Sequence, residues 1–501
     1  MTSWRSCPLI LLAMTYILSG CASSKIHEVS SLGDLGAVQS YVENGGNLEE
    51  RGDKNWVSGL YHYAGKTPLH VAVENNQLAV VRYLIEKGAD IEARTSAGET
   101  PLILSAKSAN IDMFDFLIAQ SANGFAVDEN GNTALLAALD SLKDQPEQAY
   151  EIATALIQRK ADVHATNRWG RTPLHLAAQH DLESVAKLLI RHGANINALN
   201  KYGESPLFVS LKNTYFSYKD ATYEFKRSKT FEYLVQLKQK FNVKNQKGLT
   251  LLHRVCYPDY VEMLMDKGAP KNEPNNEGEP PLFFAVEHCP IETVAVYLKR
   301  GFGVNSTGVK GKTLTLAALN NVYFRQEMLS FLVEKGADVT QQDSVGRSAI
   351  HQAGAHSPEI IDIVIRHGGD INARAKTNST PLHVAASLNI SKLISYDFQS
   401  QRDLNVLAYD YLLNKPGIQM NVKDVKGCTP LHRAVNSNSL KKIELLLAKG
   451  ADFNIAENRG HTPMDLAVLS KSQPMIDVFK QYGAVSKMDA SKSYRVLCAY
   501  P

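Results

Sequence analysis

Six histidines recur at the same place in a repeated motif, and imidazole is a common metal ligand and proton carrier near neutral pH. An array of this kind would act as a metal site or as an acid–base centre. No repeat, however, contains two pairs of cysteine or histidine residues at the spacing of a metal site. Repetition at one position of a motif favours a structural role, so no metal is expected. The six residues are His70, His175, His253, His351, His383 and His432.

Other catalytic motifs are missing from the sequence. The stretch "GVKGKTLT" at residues 308–315 lacks the glycine spacing that a phosphate-binding loop requires. There is no nucleophile elbow either. We therefore expect no cofactor and no small-molecule substrate, and we predict that the chain is not an enzyme. An enzyme with its site in the insertions described below is the least favoured alternative.

One cysteine, Cys21, stands between an apolar run and a polar stretch. The run from Pro8 to Leu18 has 11 residues, follows Arg5 and is followed by two small residues, which is the layout of a secretory signal. It is too short to span a membrane, which takes about 20 apolar residues. An ordinary cleaved signal with a chance cysteine after it is one interpretation.

The favoured interpretation is a lipid anchor, because the four residues "LSGC" at 18–21 resemble the bacterial lipobox. This resemblance implies that the Cys21 thiol receives a diacylglycerol and that a peptidase cuts before it. Several acyl chains on one terminus make a stable anchor. Because Ala22 replaces the aspartate of inner-membrane lipoproteins, the resemblance implies an outer-membrane anchor facing the periplasm. Residues 1–20 are then the signal peptide, and residues 21–26 the lipidated anchor and a short linker.

The charges of the 501-residue chain nearly balance, with 54 Lys and Arg against 51 Asp and Glu. Nucleic-acid binding usually requires a basic face that displaces counterions, and the sequence has no long basic run. We therefore expect no nucleic-acid partner. The length exceeds what one compact core accommodates, so the chain must form several domains or one elongated array.

Internal repetition organises the rest of the chain. The stretches at 66–93, 171–198 and 428–455 align without gaps, and the first reads "KTPLHVAVENNQLAVVRYLIEKGADIEA". They resemble the ankyrin repeat. The resemblance implies an all-α, ankyrin-repeat solenoid of about 12 helix-turn-helix units over residues 27–485, with an amino-terminal half-unit and a tail or cap at 486–501. The turn motif begins at Thr67, Thr100, Thr133, Thr172, Ser205, Thr250, Pro280, Thr313, Ser348, Thr380, Thr429 and Thr462.

Individual residues of one repeat have recognisable structural roles. Thr172 is suited to cap the first helix, and Pro173 fits its first position, where a missing amide hydrogen matters least. Gly193 ends the second helix, because glycine enters the left-handed conformation without steric cost. The ankyrin resemblance further implies that each repeated histidine holds its local turn by hydrogen bonds. No unit buries its apolar face alone, so stacking supplies the core.

Four other cysteines remain after the predicted signal and anchor. Cys256 and Cys289 lie in adjacent units, and Cys498 lies in a tail that is able to fold back toward Cys428. An exported chain meets an oxidising environment in which disulfides form. The sequence leaves two interpretations open, which are disulfide bridges and four independent thiols.

Aromatic residues in the loops between units are candidates for partner contact, because tryptophan and tyrosine are enriched at interface hot spots. Trp56 and Trp169 are the two tryptophans outside the predicted signal, and Tyr61, Tyr63 and Tyr202 occupy loops in the same half of the chain. The alternative is that each ring folds back over its own loop. The short loop around Trp169 favours binding there.

Three units exceed the 33-residue period by more than two residues, those at Thr133, Ser205 and Thr380, by 6, 12 and 16 residues. We expect each excess between the two helices of its unit. Helix extensions packed on the array are slightly favoured over direct partner contact, and the aromatic content argues against flexible linkers. The aromatic candidates for partner contact are Tyr215, Phe216, Tyr218, Tyr396 and Phe398.

The sequence therefore predicts a membrane-tethered protein-binding module. We expect its partner to be another exported protein, not identified by the sequence, that the module inhibits, protects or scaffolds. A structural envelope component without a single tight partner is the main alternative.

Overall fold

The computed structural model of the chain describes residues 26–52, 63, 65–211, 216–219, 222–225, 227–387, 398–486 and 498. These residues belong to two compact units, Met1–Lys247 with Asp266–Ala269, and Gly248–Met265 with Pro270–Pro501. Residues 1–25, which include the predicted signal and Cys21, lie outside the described residues.

The first unit is a succession of helix pairs. Residues 26–32 are helical and precede the helix Leu35–Glu43, and together they form the predicted half-unit. The first helices of the next five repeats are Pro68–Glu74, Pro101–Lys107, Ala134–Ser141, Pro173–Gln179 and Pro206–Ser210. Their second helices are Leu78–Glu86, Ile111–Ala119, Pro146–Gln158, Glu183–Arg191 and Lys229–Leu234.

The start and end of each repeat follow from single residues. Thr172 has extended backbone angles, its hydroxyl accepts a hydrogen bond from the His175 amide, and Pro173 is the first helical residue, so the predicted cap is present. After the second helix, Gly193 has φ +87°, and a Cβ added there would meet no atom within 4 Å. Backbone conformation, and not lack of space, therefore selects glycine at this position.

The helix pairs of the first unit bury a large apolar core. It includes residues from Ile26 to Ala194. Ala177 and Ala178 of a first helix are fully buried, and so are Val185 and Leu189 of the second helix that packs on it. The small alanine side chains allow neighbouring first helices to approach closely, and the larger residues of the second helices fill the core, as expected for stacked repeats.

Two insertions lie in this unit. In the Thr133 repeat the second helix, Pro146–Gln158, has 13 residues, whereas Leu78–Glu86 has 9. The insertion therefore lengthens a helix, as the favoured interpretation predicted, but the prediction that the whole excess lies between the helices was wrong for this repeat. In the Ser205 repeat the excess does lie there, but it forms two antiparallel strands, Phe216–Lys219 and Thr222–Phe225. The favoured interpretation as a helix extension was wrong at this insertion.

The second unit contains seven repeats. Their first helices are the 3₁₀ turn Leu251–His253 and the α-helices Pro281–His288, Leu314–Ala318, Ala349–Ala353, Pro381–Ser387, Pro430–Asn436 and Pro463–Leu469. Their second helices are Pro258–Asp266, Ile291–Lys299, Arg325–Glu334, Pro358–Arg366, Phe398–Leu413, Leu440–Ala448 and Gln473–Gln481. A further 3₁₀ turn spans Val309–Gly311.

Two disulfides connect parts of the second unit. Cys256 follows the shortened helix Leu251–His253 and bonds to Cys289, with the two Cα atoms 5.1 Å apart. Cys428 bonds to Cys498 across 6.0 Å between Cα atoms. Of the two interpretations that the sequence left open, the structure therefore shows the bridges.

The second disulfide brings the end of the chain onto a first helix. Cys498 is fully buried, and its carbonyl accepts a hydrogen bond of 2.9 Å from Nη1 of Arg433. Nη2 of Arg433 donates to Asp424, and both side chains of this pair are buried. Nearer the last helix, the Ser486 hydroxyl donates to Asp465 over 2.6 Å. Ser486 and Cys498 are thus bonded to the last two repeats.

The third insertion belongs to the Thr380 repeat. Residues 388–397 fall outside the described residues, and the second helix that follows them, Phe398–Leu413, has 16 residues. Part of this excess is therefore helical. Across the residues that the structure describes, no helix combines the length and apolar character needed to span a membrane.

Candidate protein-binding surface

The loops that join consecutive repeats are bonded to one another in a row. In the first unit the Asn130 carbonyl accepts from the Arg168 amide at 2.8 Å, and the Trp169 carbonyl accepts from the Lys201 amide at 2.9 Å. The same bond joins the Tyr202 carbonyl to the next loop. We call this row of loop tips the loop edge. Because each tip holds its neighbour, side chains on the edge keep a defined spacing.

Side chains within a loop also bond to the backbone of the same loop, as the loop at Trp169 shows. The Asn167 side-chain oxygen accepts hydrogen bonds of 3.1 Å from the amides of Trp169 and Arg171. Between them Gly170 has φ +71°, and a Cβ there would lie 2.9 Å from the Lys201 nitrogen. Glycine is therefore required both for the turn and for the approach of the next loop.

Trp169 stands at the tip of its loop between two arginines. Its ring is half-buried, and the Arg168 guanidinium carbon lies 4.3 Å from the ring centroid. The Arg171 guanidinium carbon lies 5.7 Å from it. Both distances fall within the range of a cation–π interaction. The arrangement combines a large apolar ring with fixed positive charge, which suits contact with a protein surface.

Tyr202 occupies the same position in the next loop. Its side chain is 42% exposed. An open cavity of about 330 Å³ lies beside it, lined by Arg171 and Glu204 on one side and by Asn245, Gln246 and Lys247 on the other. The structure therefore brings together two of the predicted contact residues, Trp169 and Tyr202, on neighbouring tips of the loop edge.

The remaining predicted contact residues are placed differently. Tyr63 is half-buried, its hydroxyl donates to Ser31 over 3.1 Å, and its ring stacks on His27 at 5.7 Å between centroids. Phe216 and Tyr218 lie in the first strand of the hairpin, and Phe398 begins a helix. Their roles, and those of the residues outside the described part, stay predictions. The candidates outside it are Cys21, Trp56, Tyr61, Tyr215 and Tyr396.

The repeated histidines hold the loops to the first helices. Nδ1 of His175 accepts from the Thr172 amide at 3.1 Å, so in the neutral ring Nε2 carries the proton and donates to the Glu204 carbonyl at 3.0 Å. Burial lowers the pKa of His175 to about 4. His70, His383 and His432 have the same surroundings and similarly low pKa values of about 4, again because of burial. A neutral ring with both nitrogens engaged has no position left for a metal.

Sequence reasoning missed the cations that accompany the tryptophan. The signal was present in "NRWGR", where arginine stands on both sides of the ring residue, but their placement over the ring depends on the turn. Within the described ranges, no group of three or more histidine, cysteine or acidic side chains is arranged to hold a metal ion.

Family comparison agrees with this architecture. A model of ankyrin repeats in three copies matches residues 145–221, 314–405 and 401–489, and a second ankyrin-repeat model matches residues 69–118. The chain belongs to the ankyrin-repeat family. Ankyrin repeats are protein-binding modules, so the partners indicated for this chain are proteins.

Similarity to individual proteins is partial. The chain is 27% identical over 212 residues to human transient receptor potential cation channel subfamily A member 1, covering 40% of this chain and 17% of that protein. It is 30% identical over 156 residues to the mouse B-cell lymphoma 3 protein homolog, covering 29% and 34%. It is 32% identical over 138 residues to alpha-latrotoxin-Lh1a of Latrodectus hasselti, covering 27% and 9%. The chain thus spans about a third or less of each of these relatives.

Proposed function

We propose that this chain is an exported, membrane-tethered binding protein that holds another exported protein through the loop edge of its first unit. The observation that carries the proposal is the pair of neighbouring tips at Trp169 and Tyr202. Both residues are aromatic, their loops are joined by a hydrogen bond of 2.9 Å, and arginines flank the tryptophan ring. Aromatic and arginine side chains on a rigid frame are the usual anchors of protein interfaces.

The two disulfides support export. Cys256–Cys289 and Cys428–Cys498 engage every described cysteine, and disulfides persist in oxidising compartments such as the bacterial periplasm. This agrees with the lipobox-like residues that end at Cys21. In this proposal Cys21 carries the lipid, the anchor lies in the outer membrane, and the repeats face the periplasm. The effect on the partner is inhibition, protection or scaffolding.

The test is capture from membranes of the native host with the full chain as bait, comparing the parent with a Trp169→Ala, Tyr202→Ala variant. Truncating a hot-spot residue costs about 2 kcal/mol or more, which is a loss of affinity of roughly thirtyfold or more, so we expect one exported partner to be depleted from the variant's capture. Tyr482→Ala is the matched control, because Tyr482 is also 42% exposed but follows the last helix of the second unit.

The same captured bait tests the anchor. Mass spectrometry should find an amino terminus that begins at Cys21 and carries acyl chains. A partner lost equally from the Trp169/Tyr202 variant and the Tyr482 variant would contradict the binding surface. An unmodified amino terminus would contradict the anchor and leave the binding result unaffected.

A further inference from the structure

The loop edge of the second unit has a different chemistry from that of the first. Four consecutive loops, at residues 307–313, 342–348, 375–380 and 422–428, are joined by amide-to-carbonyl hydrogen bonds. The Ser344 amide donates to Lys310 at 2.7 Å, the Lys376 amide to Val345 at 3.0 Å, and the Val425 amide to Thr377 at 2.9 Å. With repeats stacked roughly 10 Å apart, the four tips form a line on the order of 30 Å long.

The exposed charges on this line are positive. Lys310, Lys376 and Lys423 are all exposed. Two acidic residues lie in the same loops, but both face inward. The Asp343 carboxylate accepts from the Val345 and Arg347 amides at 3.0 and 2.8 Å, and the Asp424 carboxylate accepts from the Lys426 and Cys428 amides at 2.8 and 3.0 Å.

The positive charge begins at the first of these four loops, because the loop before it carries an acidic residue. The loop that precedes it carries the exposed Glu277 at its tip. Two exposed aspartates, Asp338 and Asp370, also belong to the connecting segments, but they lie next to the preceding helices. Their carboxylates accept from the amides two residues further on, at 2.8 Å in both cases. The positive charge is therefore concentrated at the tips.

Exposed valines accompany the lysines in these loops. Val309, Val345 and Val425 are 36%, 46% and 59% exposed. Loop tips are usually built from polar residues and glycine, so valine in three of four neighbouring tips is not explained by the turns. A ligand that matches this row carries both negative charges and apolar side chains.

We propose that this basic loop edge, formed by Lys310, Lys376, Lys423 and the three valines, binds an extended acidic segment of a protein, one that also carries apolar side chains. The positive charge of the lysines favours an acidic ligand. Because the loop tips form a line, the ligand should be an extended segment. An anionic membrane surface fits less well, because segments that enter the membrane interface present tryptophan, phenylalanine or leucine, and valine side chains are too short to reach below the headgroups. The surface lies in the second unit and does not depend on Trp169 or Tyr202.

The test uses a fluorescent peptide of alternating glutamate and valine, about as long as the line of tips, with anisotropy as the readout. The full chain should bind it, and binding should weaken as salt rises. A triple variant should bind the peptide about tenfold more weakly, because it loses three partly solvated charge pairs of roughly 0.5 kcal/mol each. Its substitutions are Lys310→Gln, Lys376→Gln and Lys423→Gln. A peptide with serine in place of valine should bind more weakly.

The matched control removes the same charge elsewhere in the unit. Lys335, Arg366 and Lys449 are exposed at the ends of second helices. The triple glutamine variant of these residues should bind the peptide like the parent. Equal weakening in both variants would show attraction by net charge and overturn the proposal. No binding to the parent, or loss of vesicle binding without any peptide binding, would also overturn it.

Both triple variants should unfold at the same temperature as the parent. Weaker peptide binding would then not be due to a loss of folded protein. The peptide should also bind the Trp169→Ala, Tyr202→Ala variant as it binds the parent. Failure of this inference is therefore distinguishable from failure of the proposed function.

Discussion

At the scale of single residues, the repeated histidines show how an apparently catalytic side chain can be wholly structural. Each described ring at this position is buried, and Nδ1 accepts the amide of the residue that begins the motif. In His70 and His175, Nε2 reaches a carbonyl near the end of the following loop. The imidazole therefore ties the loop edge to the first helices, and the rigidity of the binding surface depends on it.

Replacing His175 by glutamine should lower the free energy of unfolding by about 1 to 3 kcal/mol, because the Glu204 carbonyl and the Thr172 amide lose buried partners. Chemical denaturation monitored by circular dichroism measures this. His164→Gln is the control, since His164 is exposed in a loop of the same unit. Equal effects of the two substitutions would contradict the structural role.

The same residues predict that acid destabilises the fold. Burial lowers the pKa of His175 from 6.5 to about 4, so between these values the unfolded chain binds more protons than the folded chain. Stability from the neutral ring is fully present above pH 6.5 and is lost as the pH falls toward 4. The unfolding midpoint should drop over this interval, and it should drop less in His175→Gln than in His164→Gln.

At the scale of the elements, the sequence predicted the repeats well because their boundaries depend on local chemistry. Thr172, Pro173 and Gly193 act where they stand, and the structure contains the cap, the first turn and the left-handed glycine. The strands Phe216–Lys219 and Thr222–Phe225 were not predicted, because they interrupt a helical context. The long helix Pro146–Gln158 agrees with the favoured helix extension, although the sequence did not show how much of the excess is helical.

The disulfides and the binding surface required information that the sequence does not hold. Cys256 and Cys289 occupy different places in their units, yet their Cα atoms lie 5.1 Å apart in the fold. Trp169 was identified correctly as a loop residue, but the hydrogen bond that sets it beside the Tyr202 loop is made between backbones. Such contacts follow from stacking, which side-chain patterns specify only indirectly.

The Cys256–Cys289 bridge joins the Thr250 repeat, whose first helix is the short turn Leu251–His253, to the next repeat. It encloses a sequence separation of 33 residues, for which the loss of chain entropy in the unfolded state corresponds to about 3 to 4 kcal/mol. A double variant, Cys256→Ser with Cys289→Ser, should have a free energy of unfolding for the second unit that is lower by about that amount. Reductant should destabilise the parent by more than it destabilises this variant, and an equal effect would contradict the role of the bridge.

At the scale of the whole molecule, two units of one repeat family present loop edges with different chemistry. The first carries neighbouring aromatic tips with arginines, and the second carries lysines and valines. The helices are committed to stacking, so differences in function must lie in such exposed tips. We infer one surface for an exported protein partner and another for an acidic segment, and each is separately testable by substitution.

In the function that we propose, the neighbouring tips at Trp169 and Tyr202 contact the partner. Lys201 is exposed between these two residues on the loop edge, so a photoreactive amino acid at position 201 leaves both rings in place. Activating it by light in membranes of the native host tests the contact most directly, with the same probe at position 482 as the control. We expect one discrete cross-linked exported protein from position 201 and none from position 482. Cross-linking of the same protein from both positions, or only from position 482, would contradict the contact.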